Sequence, residues 1–502
     1  MRKNIGFVST RLAGTDGVSL ESSKWADVLQ QNGHNCFWFA GSLDRKPEYC
    51  FHVPEAHFKT EQNQWINQRV FGQKGRKQPV TQSIHDLRSH LKYKLHEFIK
   101  RFKIDVLIAE NALTIPLHVP LGLAITETVA ETQLPTIAHH HDFYWERVRF
   151  AVNAVGDYIQ MAFPPNLNNI RHVVINSAAQ EQLALRTGIA STIIPNVLDF
   201  ENPPKISRKR TQIFRESIGL DIDDRMILQP TRIVQRKGIE FAIELVKELK
   251  NTHNKLVISH EAGDEGFEYA EWLKEYACEH DVDLRLVSIQ VSDPWSETGN
   301  NGAKYSLWDV YPYADFITYP SLYEGFGNAF LEAIYFKKPL LVNRYANFVN
   351  DIEPKGFDLV VMDGFLTPKT VARVRSILES SQQRQQMVEH NYRIAAKYYS
   401  FAVLRRMLNS LFTNFFGIDS FQYVARDSAW DSEPATVTLT VEPRCGSPRT
   451  GSAESAMSTT RCRPVFRVAD SKSGSHRRTW SSSVTGPKSH TTGARISLPM
   501  WC

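Results

Sequence analysis

The 502-residue sequence has no long hydrophobic run. Crossing a bilayer takes about 18 or more consecutive apolar residues. The most apolar region, residues 106–130, is interrupted by Glu110, Asn111, Pro116 and Pro120. The first residues also lack the long apolar stretch of a secretory signal peptide. We therefore predict no membrane span and expect a cytoplasmic protein.

Cysteines are few, and none are spaced as a motif. The six cysteines include no Cys-x-x-Cys pair, and no spacing among them is typical of a zinc site. A disulfide framework belongs to small secreted domains rather than to a chain of this length. The cysteines are therefore interpreted as scattered thiols.

The positive charge is confined to the C-terminal region. The net charge is +5, and residues 421–502 account for all of it, with eleven Lys and Arg against six Asp and Glu. Residues 1–420 are therefore neutral overall, and we expect no nucleic-acid partner for them. The region 421–502 is rich in Ser, Thr, Arg and Gly without periodicity, which predicts a disordered basic tail. A nucleic-acid-binding tail is the alternative.

Strand and helix patterns alternate along the rest of the chain. "IGFV", a turn-rich loop, a helical stretch and "CFWF" form one strand-loop-helix-strand unit, the building block of a parallel sheet. A second series begins near residue 224 with "RMILQP". We predict an α/β protein with two Rossmann-like domains facing a cleft, covering residues 1–200 and 224–390. Residues 201–223, polar and with a Pro pair, are predicted to be the interdomain linker.

Two cations follow a strand of the second series. Arg232 and Lys237 come after "MILQP" and precede a helix. Ligands of parallel sheets bind where loops leave the carboxyl ends of the strands. Arg supplies a planar fork and Lys a compact charge for phosphate oxygens. The pair alone is also typical of a solvated loop.

The loop "YEGFGNAFLEA" follows another strand of this series. Gly325 and Gly327 let a backbone approach a ligand closely, and the helix start that follows favours an anion. Glu324 and Glu332 are candidates for binding sugar and ribose hydroxyls. Together with the two cations, these residues predict a nucleotide-sugar site.

Four ordered segments resemble a known family. "TRIVQRKGIEFAIELV" and "PSLYEGFGNAFLEAIYFKKPLLVN" are similar to the two signature regions of retaining, nucleotide-sugar-dependent family-four glycosyltransferases, which have the GT-B fold. "VINSAAQEQLALRTGI" with "TIIPNVLDF" resembles the segment entering the family's linker. "AAKYYSFAVLRRMLNSLF", within residues 391–416, resembles the final helix that crosses back to the first domain. The start, "STRLAGTDGVSLE", is similar to a narrower group, the mannosylglucosyl-phosphoglycerate synthases.

The resemblance implies a role for each residue of the motif. Glu324 would contact the transferred sugar and Glu332 the ribose, while Arg232 and Lys237 would hold the diphosphate. Asn328 departs from the apolar residue that many members carry, and it could alter donor-sugar contacts. The other donor contacts would come from the backbone of Gly325, Phe326, Gly327 and Asn328, and from the first-domain loop with Gly14 and Gly17.

The first domain would bind the acceptor, and "AHHHDFYWER" ends one of its strands. Three adjacent histidines suggest a metal, but neighbours in a strand point to opposite faces, so His139, His140 and His141 cannot all face one ion. Core histidines and a sugar contact are the alternatives. The resemblance places His141, with Asp142, at the donor sugar and makes both catalytic candidates alongside Glu324, with His140 as the runner-up. The candidate acceptor contacts are His140, Arg147 and Arg149, although solvated surface is equally consistent for the two arginines.

The stretch from Lys59 to Lys103 contains eleven Lys and Arg and only three acids. Its apolar residues recur at helical spacing, so the cations form an outer face. A solvated face, an anionic acceptor site and peripheral contact with anionic lipid are three alternatives.

The implied reaction moves a hexose from GDP-mannose or UDP-glucose to a hydroxyl of a small sugar, anionic or phosphorylated, with retention. The leaving diphosphate would help deprotonate the acceptor in a same-face displacement. No cofactor is expected, and no divalent metal is predicted to be essential, because the cations take its place. A GT-B phosphorylase, a nucleotide-sugar epimerase and an inactive sugar-binding protein are the alternatives.

Overall fold

The computed structural model describes residues 2–14, 16–203, 208–259, 267–287, 307–416, 418–423, 435–440 and 468–469. The chain divides into two compact units, Met1–Phe415 and Phe416–Cys502. Within the described residues, no helix combines the length and apolarity that a membrane crossing needs.

The first domain is built on a seven-stranded parallel sheet. Its strand order is β3-β2-β1-β4-β5-β6-β7. The order runs outward from β1 in both directions, so the loops after β1 and β4 meet at the carboxyl edge. The elements are β1 Asn4–Val8, α1 Gly17–Gln31, β2 Asn35–Ala40, β3 Cys50–His52, α2 Glu61–Val70, α3 Gln78–Phe102, β4 Val106–Glu110, α4 Val119–Thr132, β5 Thr136–His140, α5 Gly156–Ala162, β6 Ile170–Val174, α6 Ser177–Thr187 and β7 Ser191–Ile193.

Helices cover both faces of this sheet. Val106 and Ile108 of β4 pack toward α1, whereas Leu107 and Ala109 pack into the opposite cluster with α3. This alternation is the two-residue period of a strand. Continuous apolar runs such as "VLIA" therefore mark strands that are buried on both sides.

The second domain repeats the arrangement on a six-stranded parallel sheet. Its order is β10-β9-β8-β11-β12-β13. The loops after β8 and β11 carry the two sequence motifs and leave neighbouring strands at the same edge. The elements are α7 Arg208–Ser217, β8 Arg225–Gln229, α8 Ile239–Leu249, β9 Asn254–Ile258, α9 Phe267–Glu279, β10 Leu284–Leu286, α10 Leu307–Val310, β11 Phe316–Tyr319, α11 Asn328–Tyr335, β12 Leu340–Asn343, β13 Val360–Met362, α12 Pro368–Glu379, α13 Ser381–Tyr398 and α14 Phe401–Phe416.

The segments that join the two domains are not simple connections. The stretch interpreted as the linker, 201–223, contains the whole of helix α7, and Phe214 of that helix is fully buried in the second-domain core. Leu220, just after the helix, packs in the same core, and the polar composition of the stretch did not indicate either contact. At the other end of the domain, Leu404 and Leu408 of α14 pack in the same cluster as Trp25 of α1. The chain thus returns to the first domain at its last long helix.

The second unit contains three short antiparallel strands. They are β14 Ile418–Tyr423, β15 Ala435–Thr440 and β16 Val468–Ala469, in the order β14-β15-β16. The composition did not predict this regular structure. The rest of the tail predicted to be disordered lies outside the described residues.

Candidate active site

A cleft of about 620 Å³ lies between the two sheets. The loops after β1, β8 and β11 and the first turns of α1 and α11 form its walls. The carboxyl ends of parallel strands therefore face each other across it. The lining includes Arg11, Gly14, Asp16, Gly17, Asn196, Thr231, Arg232, Lys237, Tyr319, Glu324, Phe326, Gly327, Asn328 and Glu332.

Lys237 and Glu324 form a buried ion pair in this cleft. Each residue is 8% exposed. Burial lowers the pKa of Lys237, and the carboxylate of Glu324 offsets part of that effect. Burial would raise the pKa of Glu324, but the charge and hydrogen bond of Lys237, together with the charge of Arg236, outweigh it and lower the pKa. A second cation, Arg236, approaches the same carboxylate at 3.4 Å, so Glu324 is an ionised group held by cations.

The loop between Glu324 and α11 requires glycine. Gly327 has a φ of +104°, and a Cβ there would lie 2.7 Å from the Tyr345 hydroxyl oxygen. Gly238, which precedes α8, has a φ of +59° and would meet the carbonyl oxygen of Pro320 at 2.7 Å. Both glycines let the backbone turn sharply into a helix directly beside the ion pair.

Glu332 lies in the middle of α11 and lines the cleft from the second domain. The Tyr311 hydroxyl donates a hydrogen bond to Glu332 Oε2 at 2.9 Å. Burial raises the pKa of Glu332, and the hydrogen bond from Tyr311 counteracts part of the shift. The group is positioned to accept hydrogen bonds from a ligand hydroxyl.

Arg232 and the first-domain loop complete the cleft. Arg232 is exposed and lines the cleft, and it precedes Lys237 by only a few residues in the sequence. Gly14 and Gly17 line the same cleft from the other sheet, where α1 begins at Gly17. The Asp16 carboxylate caps that helix by accepting from the amides of Val18 and Ser19. The structure therefore brings the glycine loop and the cations around one space.

Amide side chains join the two domains at this loop. Asn176 Nδ2 of the first domain donates to Gly325 O at 2.7 Å, and Asn347 Nδ2 donates to the same oxygen at 2.8 Å. Asn196 Nδ2 donates to Asn328 Oδ1 at 2.7 Å. Asn328, the position that departs from the family pattern, is thus occupied by an interdomain hydrogen bond.

His141 forms part of a buried network at the carboxyl edge of β4 and β5. His139 Nδ1 lies 3.0 Å and His141 Nε2 lies 3.3 Å from Glu110 Oε2. Burial would raise the pKa of Glu110, but the two imidazoles outweigh it and lower the pKa to about 2. Burial would lower the pKa of His141, but hydrogen bonding to the Glu110 carboxylate raises it. The protonated form of His141 is therefore favoured.

The acceptor role expected for His140 is wrong. Its side chain points to the other face of β5, is 1% exposed and contacts Thr114 and His172. Burial holds its pKa well below the usual value, with a further contribution from His172. The strand alternation separates it from its two neighbours, and His141, on the opposite face of the strand, lines a cavity that adjoins the cleft.

The residues that follow do not reach the cleft. Asp142 is paired with Arg147 and accepts a hydrogen bond from Asn111 Nδ2 at 3.0 Å. Arg149 is exposed, with its guanidinium 4.6 Å from the ring centre of Phe150. Neither arginine lines the cleft. The acceptor contacts expected for Arg147 and Arg149 therefore stay predictions, and Asp142, next to His141 in the sequence, is held by Arg147 outside the donor cleft.

One group of described residues has the donor set of a metal site. The ligand atoms of Glu110, His139 and His141 lie within 4.8 Å of one another. Glu110 Oε1 and His139 Nε2 are buried without a hydrogen-bond partner. Two imidazoles and a carboxylate suit a transition metal, whereas the hydrogen bonds already present suit a network that orients His141. Sequence reasoning missed Glu110 because it ends an apolar run and reads as a strand terminus.

The basic outer face of α3 is partly neutralised. Arg88 and Lys92 both pair with Glu127 of α4, at 2.9 and 3.2 Å. Lys94 pairs with Glu97 at 2.8 Å. These pairs favour the solvated-face interpretation over a dedicated anion site.

Comparisons with known proteins agree with this geometry. Residues 210–394 match the family model described as "Glycosyl transferases group 1". The chain is 36% identical over 384 residues to the mannosylglucosylglycerate synthase of Petrotoga mobilis, covering 71% of this chain and 86% of that protein. It is 31% identical over 440 residues to the enzyme of the same name from Thermotoga maritima, covering 81% and 98%.

A solved structure shows the same architecture. Anabaena HepE, in complex with UDP and glucose, superposes with a TM-score of 0.57 at 12% identity and covers 82% of this chain and 100% of its own. That likeness shows the fold, two Rossmann-like domains in the GT-B arrangement. With its fold, its cleft and its relatives, the chain belongs to the group 1 glycosyltransferases.

Proposed function

We propose that the protein transfers a hexose from a nucleoside-diphosphate sugar to a hydroxyl of a small, carboxylate-bearing sugar, with retention of configuration. The observation that carries the proposal is the ion pair of Lys237 and Glu324 in the interdomain cleft. An ammonium group suited to binding a diphosphate thus lies directly beside a carboxylate suited to binding sugar hydroxyls. Arg232 and the loop of Gly14 and Gly17 lie around the same space.

The leaving diphosphate sets the electrostatic demand of the reaction. Negative charge develops on its oxygen as the glycosidic bond breaks, and preorganised cations stabilise that charge. Lys237 and Arg232 supply the cations, and the amides at the start of α11 supply further donors. Closure of the two domains would exclude water from the transfer.

A same-face displacement fits the carboxylates of the cleft. A double-displacement mechanism needs a carboxylate nucleophile free to attack the sugar. Glu324 is held by Lys237 and Arg236, and Glu332 is hydrogen-bonded to Tyr311 deeper in the second domain. Glu324 is better suited to binding sugar hydroxyls, and the departing phosphate oxygen would accept the acceptor's proton.

The substrates are proposed from the chemistry of the relatives' names. A mannosylglucosylglycerate contains mannose, glucose and a glycerate carboxylate. We therefore propose GDP-mannose or UDP-glucose as the donor and a glycerate-containing sugar, such as glucosylglycerate, as the acceptor. No phosphate is needed on such an acceptor, because the carboxylate already makes it anionic.

The reaction as proposed does not need a divalent metal, because Lys237 and Arg232 balance the diphosphate. Glu110, His139 and His141 would be the ligands if a metal were bound, and its chemistry there would be to polarise a sugar oxygen. Dialysis against EDTA should leave the transfer rate within about twofold. A loss restored by one metal ion would move that cluster into the catalytic machinery.

The experiment is a donor and acceptor screen. Purified protein is incubated with GDP-mannose or UDP-glucose, each labelled in the sugar, with and without glucosylglycerate. We expect one donor to bind with an increase in apparent melting temperature and to give a labelled product only with acceptor. Binding of a donor without transfer to any sugar acceptor would favour an inactive sugar-binding protein, and release of a sugar phosphate would favour a phosphorylase.

A further inference from the structure

A second cavity of about 360 Å³ adjoins the donor cleft. Glu324 lines both spaces, and His141 lines the second one. A molecule in this cavity would therefore lie next to the carboxylate that we assign to the transferred sugar. Its other walls come from α6 and the turn after β5 in the first domain, and from Tyr323 and Asn347 in the second.

Both carboxylates that line this cavity already have hydrogen-bond or ion-pair partners. Glu324 is held by Lys237 and Arg236. Glu146 accepts hydrogen bonds from the Phe143 amide at 2.9 Å and the Tyr323 hydroxyl at 2.7 Å. Burial raises the pKa of Glu146, so its charge is further weakened. An anionic ligand would meet little repulsion here.

One cation of this cavity remains available. Arg186, in the last turn of α6, is exposed, and it makes no ion pair with any residue in the described parts of the chain. Its guanidinium carbon lies 5.4 Å from the ring centre of Trp145. A guanidinium presents two parallel donors that match a carboxylate.

Trp145 offers a flat wall of this cavity beside Arg186. Its Nε1 donates to Gln182 Oε1 at 2.8 Å, and its ring stacks on Phe143 at 4.3 Å. These two contacts fix the indole at the cavity edge. A rigid aromatic surface supplies large contact area to the apolar face of a sugar ring, and the side-chain amides of Asn176 and Asn347 line the same cavity for hydroxyls.

We propose that this cavity is the acceptor subsite and that Arg186 binds the acceptor's carboxylate. The sugar ring lies against Trp145, and its reacting hydroxyl points toward Glu324 and His141. Arg186 is then the residue that selects an anionic acceptor over a neutral one. This inference rests on the proposed glycosyl transfer, because the donor sugar defines the end of the cavity at which the hydroxyl reacts.

The test is Arg186→Gln with two acceptors that differ only in charge. Glucosylglycerate carries the carboxylate, and glucosylglycerol replaces it with a neutral hydroxymethyl group. We expect kcat/KM for glucosylglycerate to fall about 10- to 100-fold, since a hydrogen-bonded charge contact is lost. The value for glucosylglycerol should change less than about twofold. Arg393→Gln is the matched control because Arg393, on α13, is an exposed arginine that lines neither the cleft nor this cavity, and it should change neither value.

A binding measurement separates this inference from the proposed function. Titration calorimetry should detect glucosylglycerate binding to the wild type, and binding at least about tenfold weaker to Arg186→Gln. If that dependence holds while the wild type transfers no sugar, the proposed function fails and the subsite stands. Four results would overturn the assignment of Arg186 to a carboxylate. They are an equal loss of kcat/KM with both acceptors, unchanged glucosylglycerate binding by Arg186→Gln, no glucosylglycerate binding by the wild type, and tighter binding of a phosphorylated acceptor.

Discussion

The two walls of the cleft are held in different ways. The second-domain wall consists of two short loops, and its charged residues Lys237 and Glu324 are buried against each other. The first-domain wall, taken to include the adjoining cavity, draws its groups from separate strands and helices. His141 and Arg186 line that cavity, and Glu110 contacts His141 from a neighbouring strand. The first arrangement is fixed before any ligand arrives, whereas the second leaves Arg186 exposed for one.

The largest effect on transfer activity should follow from replacing Lys237 in the second-domain wall. Lys237→Met removes the charge that balances the leaving diphosphate, and we expect kcat/KM for the donor to fall about 100-fold or more. It also leaves the Glu324 carboxylate without its main partner, so the free energy of unfolding should fall by up to about 3 kcal/mol. Initial transfer rates and urea unfolding measure the two effects. Lys247→Met, at an exposed position on the adjoining helix, is the control, and equal losses in both variants would contradict the role of Lys237.

The next effect concerns Glu332, where function and stability should move in opposite directions. Glu332→Gln should weaken nucleoside-diphosphate binding about tenfold, because a charged acceptor of hydrogen bonds is lost. Burial raises the folded-state pKa of Glu332, so the ionised carboxylate lowers the free energy of unfolding at pH values above that pKa. Below the unfolded-state pKa the carboxyl is protonated in both states, and no stability is lost. The variant should therefore be more stable than the wild type at pH 8 but not at pH 4.

Calorimetric binding and thermal melts at the two pH values check the Glu332 prediction. Glu353→Gln, in a surface pair with Arg344, should change neither quantity appreciably. A Glu332 variant that loses stability at pH 8 while binding nucleotide normally would show that the carboxylate has a structural role instead.

On the first-domain wall, the central prediction is a shift in pH dependence. The Glu110 carboxylate raises the pKa of His141, so Glu110→Gln should lower that pKa and deprotonate His141 at a lower pH. If protonated His141 contacts the donor sugar, activity at pH 8 should fall about tenfold while activity at pH 6 is largely kept. The rate profile from pH 5.5 to 9 tests this, and a loss that is uniform across pH would indicate misfolding or a lost metal ligand.

The smallest effect should be on the choice of donor. Asn328 is joined to Asn196 across the cleft, and Asn328→Leu replaces this polar contact with the apolar residue of the family pattern. We expect the ratio of kcat/KM values for GDP-mannose and UDP-glucose to change about fivefold, about 1 kcal/mol of discrimination. Binding of the free nucleoside diphosphates should stay within twofold. An unchanged ratio would remove Asn328 from donor-sugar selection.

The second-domain wall could be predicted from sequence because its chemistry is local. Apolar runs that end in Pro predicted the ends of strands β8 and β11. The two cations follow β8, and the glycine loop follows β11, within a few residues. The α/β arrangement followed from the same alternation. Helix α7 was not predicted because its sequence is mostly polar, although Phe214, and Leu220 just after the helix, pack in the second-domain core.

The first-domain wall could not be predicted in the same way. Strand alternation separated His140 from His139 and His141, but it does not say which histidine borders an open space. His139 and His140 proved to be buried, and His141 lines the cavity beside the cleft. Glu110 gains its role only from the pairing of β4 with β5, where it lies opposite His139. Arg186 ends a helix with no signature of its own. Such residues are assembled by the fold rather than by a motif.

The central claim is most directly tested by the stereochemistry of the first product. Proton NMR can follow the wild-type enzyme with glucosylglycerate and an α-linked donor, either GDP-mannose or UDP-glucose, from the first minutes of reaction. The account predicts a single product with an α-glycosidic bond, formed in step with release of the nucleoside diphosphate. An initial β-linked product, or nucleotide release without any glycosidic product, would contradict it.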